Sequence, residues 1–195
     1  MNPLLLQDSY KVLHHLCYKP NTTMVYSNLT PRSGEGKGTR FFGLQYLIKR
    51  YFLEEFGNWF KTPKNEAIKE YKRVIDRHLN TDINCSHLEK LHDLQYLPLQ
   101  IKALEEGSFV PFGVPVLTIK NTHSDFYWLP NFLETLISNT LWYPSTSCSN
   151  IRKLKELMLK YAEETGVDQS FVDYQLHEFS LRGHHSCDSG AIYGA

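Results

Sequence analysis

Two short stretches carry side chains whose types and spacing could do chemistry. Near the start stands Asp8-Ser9-Tyr10-Lys11, which sets an acid, a phenol and an ammonium side by side. Near the end stands His177-Glu178-Phe179-Ser180-Leu181-Arg182-Gly183, with an aromatic ring close to a guanidinium. Such a ring stacks on a flat heteroaromatic ligand, and a guanidinium holds carboxylate or phosphate bidentately. In α/β barrels, ligands of this kind sit at the C-terminal ends of the strands. The first stretch also has a purely structural reading, in which Asp8 is the N-cap of a short helix through Leu16.

Other candidates carry less. The Gly34–Thr39 stretch looks like a phosphate loop, but a Walker A motif needs Lys followed directly by Ser or Thr. Gly38 separates Lys37 from Thr39, so residues 33–39 read as a mobile, solvated loop. His177, His184, His185, Cys187 and Asp188 are metal-ligating types. Neighbouring residues on a strand point to opposite faces, however, and no second ligand pair supports them, so the expectation is hydrogen bonding and no metal site. The same holds for His14-His15. Cys17, Cys85, Cys148 and Cys187 lie far apart without a CxxC pair, which suits reduced thiols.

The elements that must position these groups follow from periodicity. Met24–Tyr26 reads as a short strand. Leu44, Leu47, Ile48 and Tyr51 predict a helix over Arg40–Phe56, with Gly57 as its stop. Thr62-Pro63 predicts a helix start, with Ile68, Tyr71, Ile75 and Leu79 facing the core. A shorter helix is expected over Ser86–Leu94. The period then shortens to two: Leu99, Ile101 and Ala103 predict a strand, and Val114–Ile119 another. Leu129–Trp142 reads as a helix with Pro130 in its first turn. Ser149–Glu164 reads as a further helix carried on Ile151, Leu154, Leu157, Met158 and Tyr161, stopped by Gly166. Tyr174–Phe179 reads as a strand opening a new unit that the remaining residues do not close. The chain therefore reads as cut inside a domain.

Composition bounds the function. The 195 residues hold 21 Lys+Arg against 21 Asp+Glu, so the formal net charge is zero. That excludes a nucleic-acid binder driven by bulk charge. Apolar runs fall well short of the roughly 20 residues that cross a bilayer. The opening MNPLLLQDSYK lacks the basic leader of a signal peptide, so neither a membrane nor secretion is expected.

Taken in order, several blocks resemble the nicotinamide phosphoribosyltransferase family. They are DSYKVLH, PNTTMVYSNLTPR, FFGLQYLIKRY, LPLQIKALEEGSFVPFGVPVLTIKNT, FYWLPNFLETLISNTLWYP and LHEFSLRG. Three features depart from the family pattern: Ser180 stands where the family has Gly, His184 precedes His185-Ser186 where it tends to have Ser-Ser, and the Gly34–Thr39 loop is shorter than in some members.

The resemblance implies an enzyme, a glycosyltransferase that moves 5-phosphoribose from phosphoribosyl pyrophosphate to nicotinamide. The products are nicotinamide mononucleotide and pyrophosphate, in NAD salvage. It implies an α/β fold class, with an α+β N-terminal domain at residues 1–166 and, at 167–195, the incomplete start of a type II phosphoribosyltransferase irregular α/β barrel. It further implies a cytoplasmic homodimer with shared active sites, Mg²⁺ whose ligands lie outside this chain, and ATP as an activating co-substrate.

Residue by residue, Phe179 matches the aromatic that stacks on the nicotinamide ring, and Tyr10 the aromatic that closes the other face from the partner subunit. Asp8 matches the acid beside that tyrosine. Arg182 matches the arginine over the ligand's amide and phosphate region, and Arg32 an arginine reaching phosphate across the interface. No catalytic residue is assigned within the chain, and it is expected to be inactive alone. Two alternatives stay open: a nicotinate phosphoribosyltransferase-like enzyme, and a stand-alone non-catalytic dimerisation or binding module.

Overall fold

The computed structural model describes residues 2–177 and 179–194. Its centre is a three-stranded antiparallel sheet in the order β1 (Tyr26–Leu29), β5 (Leu117–Asn121), β3 (Leu99–Ala103). Tyr26 faces Lys120 and Leu29 faces Leu117 on one side of β5; Leu99 faces Asn121 and Ala103 faces Leu117 on the other. The central strand alternates strictly, burying Leu117, Ile119 and Asn121 on one face. Asn121 is polar but fully used: its amide donates to the carbonyls of Thr23 and His123, and its oxygen accepts from the Val25 amide.

A second, two-stranded sheet pairs β2 (Gly38–Arg40) with β4 (Phe109–Pro111). The end of the stretch expected to be a mobile loop is therefore a strand. A Cβ on Gly38 would lie 2.2 Å from the Val110 carbonyl oxygen, so only glycine permits this pairing.

Helices cover the sheet. Residues 44–61 are one continuous helical run whose middle, Leu47–Glu55, is wound in the wider π form. Gly57 lies inside this run and does not stop it. The stop is Thr62, held extended at ψ 138° because the following Pro63 disfavours helical backbone before it. Thr62 accordingly donates its hydroxyl to the Asn58 carbonyl of the helix it follows, and Pro63, not Thr62, caps the Lys64–Leu79 helix. That helix buries Ala67, Ile68, Tyr71 and Ile75, while Leu79 packs half-buried against the core. Ser86–Leu94 is helical as its pattern predicts.

The two later helices fuse. After a single turn at Leu129–Phe132 the chain runs in one 32-residue helix, Glu134–Thr165, straight through Pro144. Proline interrupts the backbone ladder there, and the gap is filled by packing. Gly43, at φ 104°, approaches so closely that a Cβ would meet the Pro144 ring at 2.9 Å. The helix ends where expected, at Gly166 with φ 73°, and the Val167 amide donates to the Ala162 carbonyl.

One continuous core runs from Leu4 and Val12 through Phe41, Phe56, Tyr71 and Leu88 to Leu129 and Leu141. The expected strand over Tyr174–Phe179 does not form. Residues Gln169–Tyr174 make a 3-10 helix, and Ser180–Gly183 make another; Glu178 lies outside the described residues. A strand needs a ladder partner, and among the described residues no strand lies beside this segment. No helix among the described residues is long and apolar enough to cross a membrane.

Candidate functional site

Asp8 and Tyr10 belong to the Ser9–Leu16 3-10 helix and its N-cap. Asp8 stands at the cap position, but its side chain makes no capping hydrogen bond. It is turned instead toward the first turn of the long helix. The Thr135 hydroxyl donates to Asp8 Oδ2 at 2.7 Å, and the Asp8 amide donates back to Thr135 Oγ1 at 3.3 Å. The Tyr10 hydroxyl donates to the same carboxylate oxygen at 3.2 Å. One residue on, the buried Lys11 ammonium pairs with Glu134 and stands 5.4 Å from the Tyr10 ring centroid. The His14 ring lies 5.2 Å away on the other turn. Partial desolvation, then the Asp8 charge and hydrogen bond, raise the Tyr10 phenol above its ordinary 10.0.

The result is a phenol tethered at its hydroxyl with its ring 57% exposed. An exposed ring with one fixed end is poised to lie against a flat ligand. Its hydroxyl is already satisfied, so stacking costs no polar desolvation there.

Phe179 and Arg182 lie on the segment that follows the long helix. Phe179 is 78% exposed, and its one ring neighbour among the described residues is His177, at 6.4 Å. Arg182 is exposed on the Ser180–Gly183 turn. Among the described residues no hydrogen bond, ion pair or ring contact links Asp8 or Tyr10 to Phe179, Arg182 or Arg32. The segment carrying Phe179 packs on the long helix through other groups: Lys155 with Asp173 at 2.5 Å, and the Tyr143 hydroxyl with His184 Nδ1 at 3.2 Å. His184 and His185 are not on a strand; a bend precedes the Cys187–Gly194 helix, and His184 is spent on Tyr143.

Arg32 is exposed and lines a groove of about 600 Å³ between the β1–β2 connection and the long helix. Ser145, Ser149 and Lys153 line the same groove. Ser149 Oγ accepts from the Arg40 amide and donates to the Ser145 carbonyl, so the wall is a hydrogen-bonded surface rather than a loose one. Lys153 donates to Glu35.

Sequence reasoning missed Thr135 and Glu134, and singled out Lys11 without foreseeing its partner. All three lie in blocks that carry the resemblance, but nothing in their spacing announced a contact between residues 8–11 and 134–135. Among the described residues no group of three or more His, Cys, Asp or Glu side chains is arranged to hold a metal ion.

Comparison with known proteins bears on the same segments. Residues 2–101 match the family model for the nicotinamide phosphoribosyltransferase N-terminal domain. The nicotinamide phosphoribosyltransferase of Acinetobacter baylyi is 41% identical over 193 residues, covering 94% of this chain and 38% of the relative. That of Mycoplasma genitalium is 31% identical over 208 residues, covering 98% of this chain and 46% of the relative. The chain thus spans less than half the length of these curated relatives. In fold it is similar to the crystal structure of human nicotinic acid phosphoribosyltransferase, with a TM-score of 0.64 over 97% of this chain and 33% of that one, at 19% identity.

Proposed function

Since the chain belongs to the nicotinamide phosphoribosyltransferase family, we propose that it supplies part of the site in which 5-phosphoribose passes from phosphoribosyl pyrophosphate to nicotinamide, in NAD salvage. One observation carries this reading: Tyr10 offers an exposed ring whose hydroxyl is tied to Asp8. Nicotinamide is flat and nearly neutral, so stacking and burial are its main source of affinity. In this reading Tyr10 covers one face of the ring and Phe179 the other. Arg182 and Arg32 neutralise phosphate oxygens as charge develops on the departing pyrophosphate. Nitrogen attack at the anomeric carbon then rests on positioning, because the ring nitrogen carries its own lone pair and needs no general base.

A shared site in a homodimer belongs to the same proposal. It rests on the resemblance, in which Tyr10 matches the aromatic that the partner subunit supplies and Phe179 the aromatic of the chain's own site. Residues 1–166 as an N-terminal domain and 167–195 as the start of the barrel are part of this reading, as are a cytoplasmic setting, Mg²⁺ to offset pyrophosphate charge and ATP as co-substrate.

The test is a mixed dimer of the whole enzyme, one subunit with Tyr10→Ala and the other with Phe179→Ala. Each change alone should weaken nicotinamide binding by about 1–3 kcal/mol. If Tyr10 serves the neighbour's site, one site carries both lesions and the other none, so roughly half the wild-type activity remains. Activity no higher than that of the single-mutant homodimers rejects the shared site. The purified 195-residue chain should make no nicotinamide mononucleotide, and turnover by it would overturn that part of the proposal. Competition between nicotinamide and nicotinate separates the amide from the acid substrate.

A further inference from the structure

We propose that Thr135 is a positioning residue, which acts through Asp8 to hold the Tyr10 ring in the orientation that receives the heteroaromatic substrate. This rests on the ring-stacking reading above.

The argument is one of constraint. A 3-10 turn at a surface holds its side chains loosely, and an exposed tyrosine there samples several rotamers. The Tyr10 ring has Lys11 and His14 beside it, but its directional tether is the hydrogen bond of its hydroxyl. Its hydroxyl binds Asp8 Oδ2, so the orientation of the ring depends on what fixes the carboxylate. The local helix does not fix it, since Asp8 makes no side-chain capping bond. Thr135 does, from 127 positions away, and it does so twice: it donates to the carboxylate and accepts from the same residue's amide. A hydroxyl is the smallest group that can do both.

Thr135 is itself rigid. It is β-branched, half-buried, and set in the first turn of a 32-residue helix between the buried Leu133 and Leu136. The Lys11–Glu134 pair pins the same two elements beside it. Ring placement is thus referred to the longest element of the fold.

The test uses the 195-residue chain with ¹³C-labelled tyrosine and follows the Tyr10 phenol by NMR as pH rises. In the wild type, partial desolvation and then the Asp8 charge and hydrogen bond hold the Tyr10 midpoint above its ordinary value. Thr135→Val keeps the shape and removes both hydrogen bonds, so the midpoint should fall toward the ordinary value. Thr135→Ser keeps the hydroxyl and should restore it. In an Asp8→Ala background, which has no side-chain acceptor, Thr135→Val should have no further effect, because the route through the carboxylate is gone. A merely structural role for Thr135 would persist in that background and would overturn the proposal, as would a midpoint unmoved by Thr135→Val.

A second arm adds nicotinamide to the whole enzyme, labelled in the same way, and reads the Tyr10 ring signals. A ring-current shift in the wild type, with affinity about fivefold weaker in Thr135→Val and regained in Thr135→Ser, is the expected result. A wild-type ring that ignores saturating nicotinamide, while the pH arm behaves as expected, leaves the Thr135–Asp8–Tyr10 linkage intact and overturns its role in receiving substrate. A wild-type ring that responds, with Thr135→Val responding equally, overturns the positioning role and spares the stacking reading.

Discussion

Tyr10 and Phe179 are both exposed aromatic rings, yet the molecule holds them by different means. Tyr10 is referred to the long helix through Asp8 and Thr135, contacts that span 127 positions of the chain. Phe179 has only His177, two positions away, as a ring neighbour among the described residues. The contrast extends to the surroundings. The first half of the long helix buries Leu136, Ile137 and Leu141 in the core. Its second half leaves Leu154, Leu157 and Tyr161 45–55% exposed, although the three make a regular apolar stripe. One ring is tied by its own hydroxyl to the folded core, whereas the other has, among the described residues, only a ring neighbour two positions away. Under the proposed function, binding energy would have to order the second ring when ligand arrives and need not order the first.

The largest expected effect comes from the core that backs the first ring. Leu88 is fully buried, and Leu88→Ala should cost about 2–5 kcal/mol in urea unfolding. A loss below 1 kcal/mol would mean that this core is not the scaffold described.

Acid should strike the same region. His87 is stacked on His15 at 3.9 Å and set edge-on to Trp128 at 4.9 Å, with its Nε2 buried and without a partner among the described residues. Burial, and then the neighbouring His15, push its pKa from the ordinary 6.5 down to about 3. Burial also lowers His15, whose Nδ1 lies against the Val12 carbonyl. His87 is neutral when folded and takes up a proton when unfolded. Its contribution is therefore present above pH 6.5 and is lost as pH falls toward 3. His87→Phe keeps the ring packing and removes the titration. The difference in urea stability between pH 7 and pH 4.5 should shrink by about 2–3 kcal/mol. An unchanged difference would show that His87 is already protonated in the folded state.

The link between the two elements comes next. Lys11 is 4% exposed, and Glu134 is its ion-pair partner. Glu134→Ala leaves the ammonium buried without its counter-charge and should destabilise by about 2 kcal/mol. Restoration by Glu134→Asp would be weak, because the shorter side chain falls short of Lys11. Equal stability of Glu134→Ala and wild type would remove Glu134 from the clamp.

The smallest effect is expected at the second ring. Phe179→Ala should change folding stability by no more than about 0.5 kcal/mol, as for other exposed sites outside caps and networks. A loss above 1.5 kcal/mol in thermal or urea unfolding would show that Phe179 is held by the fold, and would erase the contrast with Tyr10.

Much of this protein was legible in the order of its residues. The Lys64–Leu79 and Ser86–Leu94 helices and β3 follow from apolar periodicity, because the face that a regular element buries is set by its own repeat. Asp8, Tyr10, Phe179, Arg182 and Arg32 came from motif resemblance, which needs no coordinates. Tertiary structure alone decided three things. Pro144 lies inside one helix because Gly43 packs against it, a contact between residues 101 positions apart that no local rule foresees. Tyr174–Phe179 is not a strand, since a strand exists only with a neighbour to accept its hydrogen bonds, and alternation cannot supply one. Asp8 turns from its local cap to Thr135 because a hydroxyl brought close by folding can donate to the carboxylate oxygen that also accepts from Tyr10. Local sequence sets what each residue is able to do; the choice among those options belongs to contacts made across the chain.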